Sequence, residues 1–260
     1  EVDATIITGS KTAVHNLLKC VDKAGLKAAD LVLMSLAAGE MALSKDEKSM
    51  GTVLVDIGAG STTIAVYDQG NMVATSTLPI GGEYITNDIS IGLRTQTDVA
   101  EKLKLKYGCA LIQDAAADQT FKVHRIGSNA EKEYNQVDLA NIIEPRVQEI
   151  FQLIRQEVAR LGVKELAGGY VLTGGTVSMP GVVALAQSEL RTSVRIAVPD
   201  FIGVRDPSYT SGVGIIHYVM KYMRGVKSGS SRKAVSKKAG KPDEPGLFAK
   251  LRNWLSEFVN

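Results

Sequence analysis

From Thr52 to Leu78 three runs of apolar and β-branched residues follow one another at short intervals: Thr52–Ile57, Thr62–Tyr67 and Asn71–Leu78. Small residues and a turn at Asp68-Gln69-Gly70-Asn71 separate them, so they read as an antiparallel meander. Elsewhere the period lengthens to that of a helix. Amphipathic helices are expected over Thr12–Gly25, 82–93, 97–107, 137–161, 181–190 and 208–224. The longest carries Val147, Ile150, Phe151, Ile154 and Val158 on one face, and Gly162 closes it. Further strands are expected at Leu31-Val32-Leu33, before a small-residue helix that runs to Ser44, and at Gly169–Thr173 and 194–198. The stretch 110–136 is poorly patterned, with Phe121–Ile126 its best strand. A meander followed by strand–helix units argues for a layered α/β fold.

The composition supports a globular chain and excludes several classes. Of 260 residues, 45% are hydrophobic and 22% charged, ordinary for a protein with a core. No run approaches the ~18 apolar residues of a membrane-spanning helix. Cys20 and Cys109 cannot build a disulfide scaffold or a four-ligand zinc site, and His15, His124 and His217 lie far apart. The first residue is Glu1, and Ala4–Thr8 reads as a strand already under way, so the chain is expected to be a piece of a longer one.

Charge divides the chain unevenly. Residues 224–260 hold nine Lys/Arg against three acids, +6, which leaves −4 for residues 1–223 of the total +2. Within that tail, Gly225–Pro245 is rich in Gly, Ser, Lys and Pro and is expected to be a flexible linker. Its r.m.s. reach would be roughly 25 Å. Beyond it, Leu247, Phe248, Leu251, Trp254, Leu255, Phe258 and Val259 fall on one helical stripe, opposite Lys250, Arg252, Asn253, Ser256, Glu257 and Asn260. An aromatic and aliphatic stripe flanked by cations suits the plane of an anionic lipid surface.

Two motifs carry candidate chemistry. In Asp56-Ile57-Gly58-Ala59-Gly60-Ser61-Thr62-Thr63 two strands flank a turn whose glycines let backbone N–H groups approach an anion. Ser61, Thr62 and Thr63 add hydroxyl donors, and Asp56 at the strand end is placed to hold Mg²⁺ through its waters. In Tyr170-Val171-Leu172-Thr173-Gly174-Gly175-Thr176-Val177-Ser178-Met179-Pro180-Gly181 a buried strand ends on adjacent glycines, a flat surface where a nucleoside could lie, and Pro180-Gly181 starts the next helix.

Together the motifs resemble the second phosphate hairpin and the adenosine motif of the actin, Hsp70 and sugar-kinase superfamily, an actin-like (ribonuclease-H-like) fold. Only one Asp-x-Gly-x-Gly hairpin is present, so the resemblance implies a first hairpin upstream of Glu1. Three further segments narrow the match: Thr8–Leu26, Pro79–Asp88 with Val99–Gly108, and Ile143-Glu144-Pro145-Arg146 on the long helix resemble the FtsA family of bacterial cell division proteins.

That resemblance implies residues 1–45 as a remnant of subdomain 1C with the return helix of the first half. It implies 46–95 and 163–224 as subdomain 2A, 96–162 as subdomain 2B, 225–245 as linker and 246–260 as a membrane-targeting helix. Gly81 and Gly82 would lie near the nucleotide, and Glu101 and Lys104 near its ribose and base. ATP and Mg²⁺ would be the cofactors, with at most slow hydrolysis and no catalytic residue assigned. The partners would be the C-terminal peptide of the tubulin-like FtsZ, with Arg146 as a nearby cation, anionic membrane lipids and further copies of the chain in actin-like filaments, with no nucleic acid. The place would be the cytoplasmic face of the bacterial cell membrane at the septum. The alternatives are a PilM-like pilus-assembly protein or an Hsp70- or sugar-kinase-type ATPase, neither of which has a use for the tail helix.

Overall fold

The computed structural model describes residues 6–127, 131–163 and 166–223. Residues 33–223 fold as one unit, and 1–32 belong to another. In the latter, α1 (Lys11–Lys23) starts at Ser10, whose hydroxyl accepts the Ala13 N–H at 3.3 Å, and none of its residues is buried.

The larger unit is organised on a five-stranded mixed sheet. The meander is β1 (Thr52–Ile57), β2 (Thr62–Asp68) and β3 (Asn71–Leu78). Strands β6 (Tyr170–Thr173) and β7 (Val194–Ile196) complete it in the order β3-β2-β1-β6-β7. The meander pairs are antiparallel, while β1–β6 and β6–β7 are parallel. Strand alternation sends Val53, Val55, Ile57, Ile64 and Leu172 to one face. There they meet α4 (Gly82–Leu93) through Ile85 and Ile89. Helix α6 (Gln136–Arg160) adds Ile150, Phe151 and Ile154, and α7 (Val182–Leu190) adds Leu185 and Ala186. The other face presents Leu54, Ala65, Tyr67 and Val171 to α2 (Met34–Ala42), which packs in turn on α8 (Thr210–Tyr218). Helix α3 (Lys45–Met50) leads into β1 from a capping box between Ser44 and Glu47.

Between α4 and α6 lie α5 (Thr97–Tyr107) and a two-stranded sheet of β4 (Thr120–His124) and β5 (Glu131–Asn135). Asn135 and Asp138 close a capping box that starts α6, with bonds of 2.9 and 3.0 Å. Pro145 sits in the interior of that helix, nine residues beyond its first.

The meander, α4 and α5 fall where the pattern puts them, and the other expected helices are found with ends shifted by one or two residues or, in the last, an altered pitch. The structure corrects several readings. Leu31–Leu33 form no strand: Leu33 is the N-cap of α2, Leu31 is exposed, and no described strand runs beside them. Ile6–Thr8 are likewise non-strand, while Ala4 and Thr5 lie outside the described residues. The last expected strand stops at Ile196, and the last helix opens with a 3₁₀ turn at Pro207–Tyr209 and ends in a π turn at Val219–Met223. Helix α3 and strand β5 are not evident in the pattern. The linker 225–245 and the helix 246–260, with Leu247, Phe248, Leu251, Trp254, Leu255, Phe258 and Val259, lie outside the described residues.

Candidate functional site

Three turns meet at the carboxyl ends of β1 and β6. In the hairpin, Gly58 N–H donates to the Ser61 carbonyl at 3.0 Å, which holds the turn tight. The carbonyls of Gly58 and Ala59 point to the start of α4, where they accept the N–H groups of Gly82 and Glu83, each at 2.9 Å. Backbone lies directly on backbone here. A side chain at Gly81 would begin 2.5 Å from both carbonyl oxygens, so only glycine fits. From the third turn, Thr176 Oγ1 donates to the same Gly58 carbonyl at 3.1 Å.

Beside this junction is an open cleft of about 230 Å³ lined by Ala59, Gly82, Glu101, Lys104, Gly175 and Thr176, together with Leu105, Gly108, Ser178, Met179 and Pro180. The nucleotide-binding expectations for Gly82, Glu101, Lys104 and Gly175 thus converge on one space. One wall is a polar network. Lys104 Nζ donates to the Gly82 carbonyl at 3.0 Å and to Thr86 Oγ1 at 2.8 Å, and pairs with Glu101 at 2.7 Å. Thr86 donates to Glu101 as well. Burial alone would raise the Glu101 carboxyl, but the bonds from Lys104 and Thr86 outweigh it and hold it below the usual carboxylate range. The wall therefore offers a fixed anion and a fixed cation side by side, with apolar Leu105 and Met179 among the remaining lining. That combination suits the hydroxyls and the ring of a nucleoside.

At the hairpin, Gly60 and Ser61 are exposed, and nothing lies closer than 3.8 Å to where a side chain at Gly60 would begin, so the backbone of the turn is sterically open. Thr62 departs from its expected role. It is fully buried, and its hydroxyl donates to the Ile80 carbonyl at 2.7 Å. Strand alternation turns it to the α4 face, away from Asp56 and Thr63, which pair across β1 and β2. Thr62 thus fastens the loop before Gly81 and is removed from the set of phosphate donors.

Asp56 is held from two sides. Its Oδ2 accepts the Ser211 hydroxyl of α8 at 2.5 Å. Its Oδ1 packs against Gly174, where a Cβ would begin 2.5 Å away. Gly174 has φ +94 and ψ 163, a region closed to other residues, so the second motif's first glycine is there to make room for the first motif's acid and for Ile57. No cluster of three or more His, Cys, Asp or Glu that could hold a metal occurs among the described residues. A cation held by Asp56 would need phosphate oxygens and water as its other ligands, the usual situation for Mg²⁺. The fit is favourable: Ser35, buried at 4% exposure, has an unpartnered Oγ in the same small space as Asp56 and Thr63.

Arg146 is elsewhere and is already engaged. Its Nε and Nη2 reach Asp88 at 2.5 and 3.1 Å, a second ion pair joins it to Glu149, and it lies over the Tyr84 ring. Its charge is therefore shared with two acids of the chain, and the guanidinium stays partly exposed beside them. Thr86, Thr176, Ser35 and Ser211 are site residues that the motifs did not single out. Thr176 lies within the second motif, which assigns it no role, whereas Ser211 stands 155 residues from Asp56 with no local signal.

A family model described as cell division protein FtsA matches residues 53–214. The cell division protein FtsA of Bacillus subtilis is 51% identical over 224 residues, covering 86% of this chain and 51% of that protein. That of Pseudomonas aeruginosa is 37% identical over 263 residues, covering 98% of this chain and 62% of that protein. The chain thus spans about half to three-fifths of the length of these relatives. Among solved structures, MreB5 of Spiroplasma citri bound to ADP superposes with a TM-score of 0.70 at 17% identity, over 85% of this chain and 69% of that one. A MamK double helical filament superposes at 0.62 and 18% identity, over 82% and 66%. These likenesses show an actin-like fold.

Proposed function

The chain belongs to the FtsA family of cell division proteins, and on that premise we propose that it is the nucleotide-binding half of an actin-like division protein. The family match sets aside the PilM-like, chaperone and sugar-kinase readings. The observation that carries the proposal is the cavity shared by Gly82, Glu101, Lys104 and Gly175, opening beside the Gly58–Ser61 turn. ATP would lie with its base and ribose against Glu101 and Lys104 and its phosphates toward Gly58, Gly60 and Ser61. Asp56 would hold the accompanying Mg²⁺ through water, which supplies neutralisation of the polyphosphate charge. The chain's own residues bind and orient; none is assigned a bond-breaking role. Residues 46–95 and 163–224 would be subdomain 2A, and 96–162 subdomain 2B.

In the cell the protein would join copies of itself into filaments and bind the C-terminal peptide of FtsZ through the α4–α6 region. The stripe at 247–259 would hold the assembly peripherally on anionic lipid at the cytoplasmic face of the septal membrane. The nucleotide reading is tested by calorimetric titration of this chain with Mg-ATP. Weak binding is expected, because the donors come from one half of a two-sided site, and Lys104→Ala and Asp56→Ala should each diminish it. Identical heats for wild type and both variants would remove the assignment.

A further inference from the structure

Ser211 and Ser35 do not belong to either motif, yet both converge on Asp56. Ser211 is in the first turn of α8, and its Oγ donates to Asp56 Oδ2 at 2.5 Å. Ser35 is in the first turn of α2, buried at 4% exposure, and its Oγ has no partner. It lines a space of about 10 Å³ with Asp56, Thr63, Met34 and Ala38. That volume is about what one water needs; Ser35, Asp56 and Thr63 are its polar lining residues, and Leu54 and Ala65 join Met34 and Ala38 as the apolar ones. A buried hydroxyl without a partner is a costly arrangement unless a water completes it. The other carboxylate oxygen of Asp56, Oδ1, is set against Gly174. Rotation of the carboxylate is therefore fixed from both ends, while each oxygen keeps lone pairs for other donors or a cation.

We propose that Ser211 and Ser35 are positioning residues for Asp56: Ser211 fixes the carboxylate plane, and Ser35 holds a water behind it, so that the carboxylate is preset for the hydrated divalent cation of a nucleotide. This rests on the nucleotide reading above and adds to it two residues from α8 and α2. Partners that orient a metal-binding carboxylate typically change metal affinity by about 10- to 100-fold when removed. A bond that only fastened α8 to the sheet would have no reason to act on the cation selectively.

The test compares the affinity of this chain for a fluorescent N-methylanthraniloyl-ADP with Mg²⁺ and with EDTA. Wild type should bind more tightly with Mg²⁺. Ser211→Ala should cut that Mg²⁺-dependent gain by roughly tenfold and leave the EDTA affinity unchanged; Ser35→Ala should also reduce the gain, and Ser211→Thr should restore it. If Asp56→Ala abolishes the gain while Ser211→Ala retains it, the inference fails and the nucleotide reading stands. Equal losses with Mg²⁺ and EDTA would make Ser211 a merely structural fastener and overturn the inference. Wild type that binds equally with and without Mg²⁺ would overturn it too, and no binding under either condition would remove the nucleotide reading with it.

Discussion

Gly174 and Gly175 are adjacent and look equivalent in the sequence, yet alanine should cost stability at the first and nucleotide binding at the second. At Gly174 the backbone has φ +94 and ψ 163, and a Cβ would sit 2.5 Å from Asp56 Oδ1, 2.7 Å from the Ile57 carbonyl carbon and closer still to its oxygen. The dihedral strain costs about 1–3 kcal/mol. Overpacking against fixed backbone adds a further ~1–3 kcal/mol, since no rotamer change relieves it. A loss of about 4 kcal/mol is expected, and for a folded unit of this size that lowers the melting temperature by roughly 8–16 °C. At Gly175 the nearest atom would be Ser208 Cβ at 3.7 Å, and φ is not positive. Alanine there should change stability by less than about 1 kcal/mol, with a small gain possible from a stiffer unfolded chain. Because Gly175 lines the cavity, its variant should instead weaken nucleotide binding. Urea unfolding followed by circular dichroism, at constant m-value, separates the two. Equal stabilities for Gly174→Ala and wild type, or equal losses for the two variants, would refute the assignment of Gly174 to backbone geometry and Gly175 to the site.

Glu40 gives a pH signature. Burial would raise its carboxyl, but hydrogen bonds from Lys221 and Lys48 bring it down to about 2, below its ordinary 4.5. Its folded-state value is depressed, so its stabilisation is present above pH 4.5 and is lost as the pH falls toward 2. Glu40→Gln should cost about 1 kcal/mol at pH 7 after solvent screening, and the difference from wild type should vanish in acid, as read by urea titrations across that window. Arg146→Ala should cost about 0.5–1 kcal/mol by releasing Asp88. It should also leave binding of a fluorescent FtsZ tail peptide nearly unchanged in an anisotropy titration, because the guanidinium is already held by Asp88 and Glu149. Trp254→Glu places a charge in the apolar stripe and should abolish co-sedimentation with anionic vesicles, whereas Lys250→Ala should weaken it modestly and mainly at low salt.

Much of the fold was legible because its elements obey clean periods. The strands of the meander are bounded by turn residues, and α6 keeps one apolar face over twenty-five residues. What escaped had no such period. Strand β5, Glu131-Lys132-Glu133-Tyr134-Asn135, is polar and has one strand partner, so nothing in it alternates between core and solvent. Helix α3 is less than two turns long and exposes most of its surface; its signal was the Ser44–Glu47 capping box. Leu31–Leu33 show the reverse error, an apolar run without a neighbouring strand to pair with among the described residues. At the candidate site the glycines were readable because only glycine permits such close approach of backbones, as at Gly81. Thr62 cannot be told from its neighbours by pattern, because its hydroxyl looks the same in sequence as those of Ser61 and Thr63. The one-residue alternation of β2 sends it to the opposite face, where Ile80 takes it. Ser35 and Ser211 reach Asp56 only through the packing of α2 and α8, a long-range contact that local pattern does not encode.

The central claim is that a nucleotide occupies the space between the hairpin turn, the start of α4, the side chains of α5 and the Gly174-Gly175 turn. It is tested most directly by following the backbone amides of this chain in ¹⁵N–¹H spectra while Mg-ADP is added. Concerted, saturable shifts are expected at Gly58, Gly60, Gly82, Lys104 and Gly175, with β4 and β5 unmoved. Shifts confined to other surfaces, or none at these five amides at millimolar nucleotide, would contradict it.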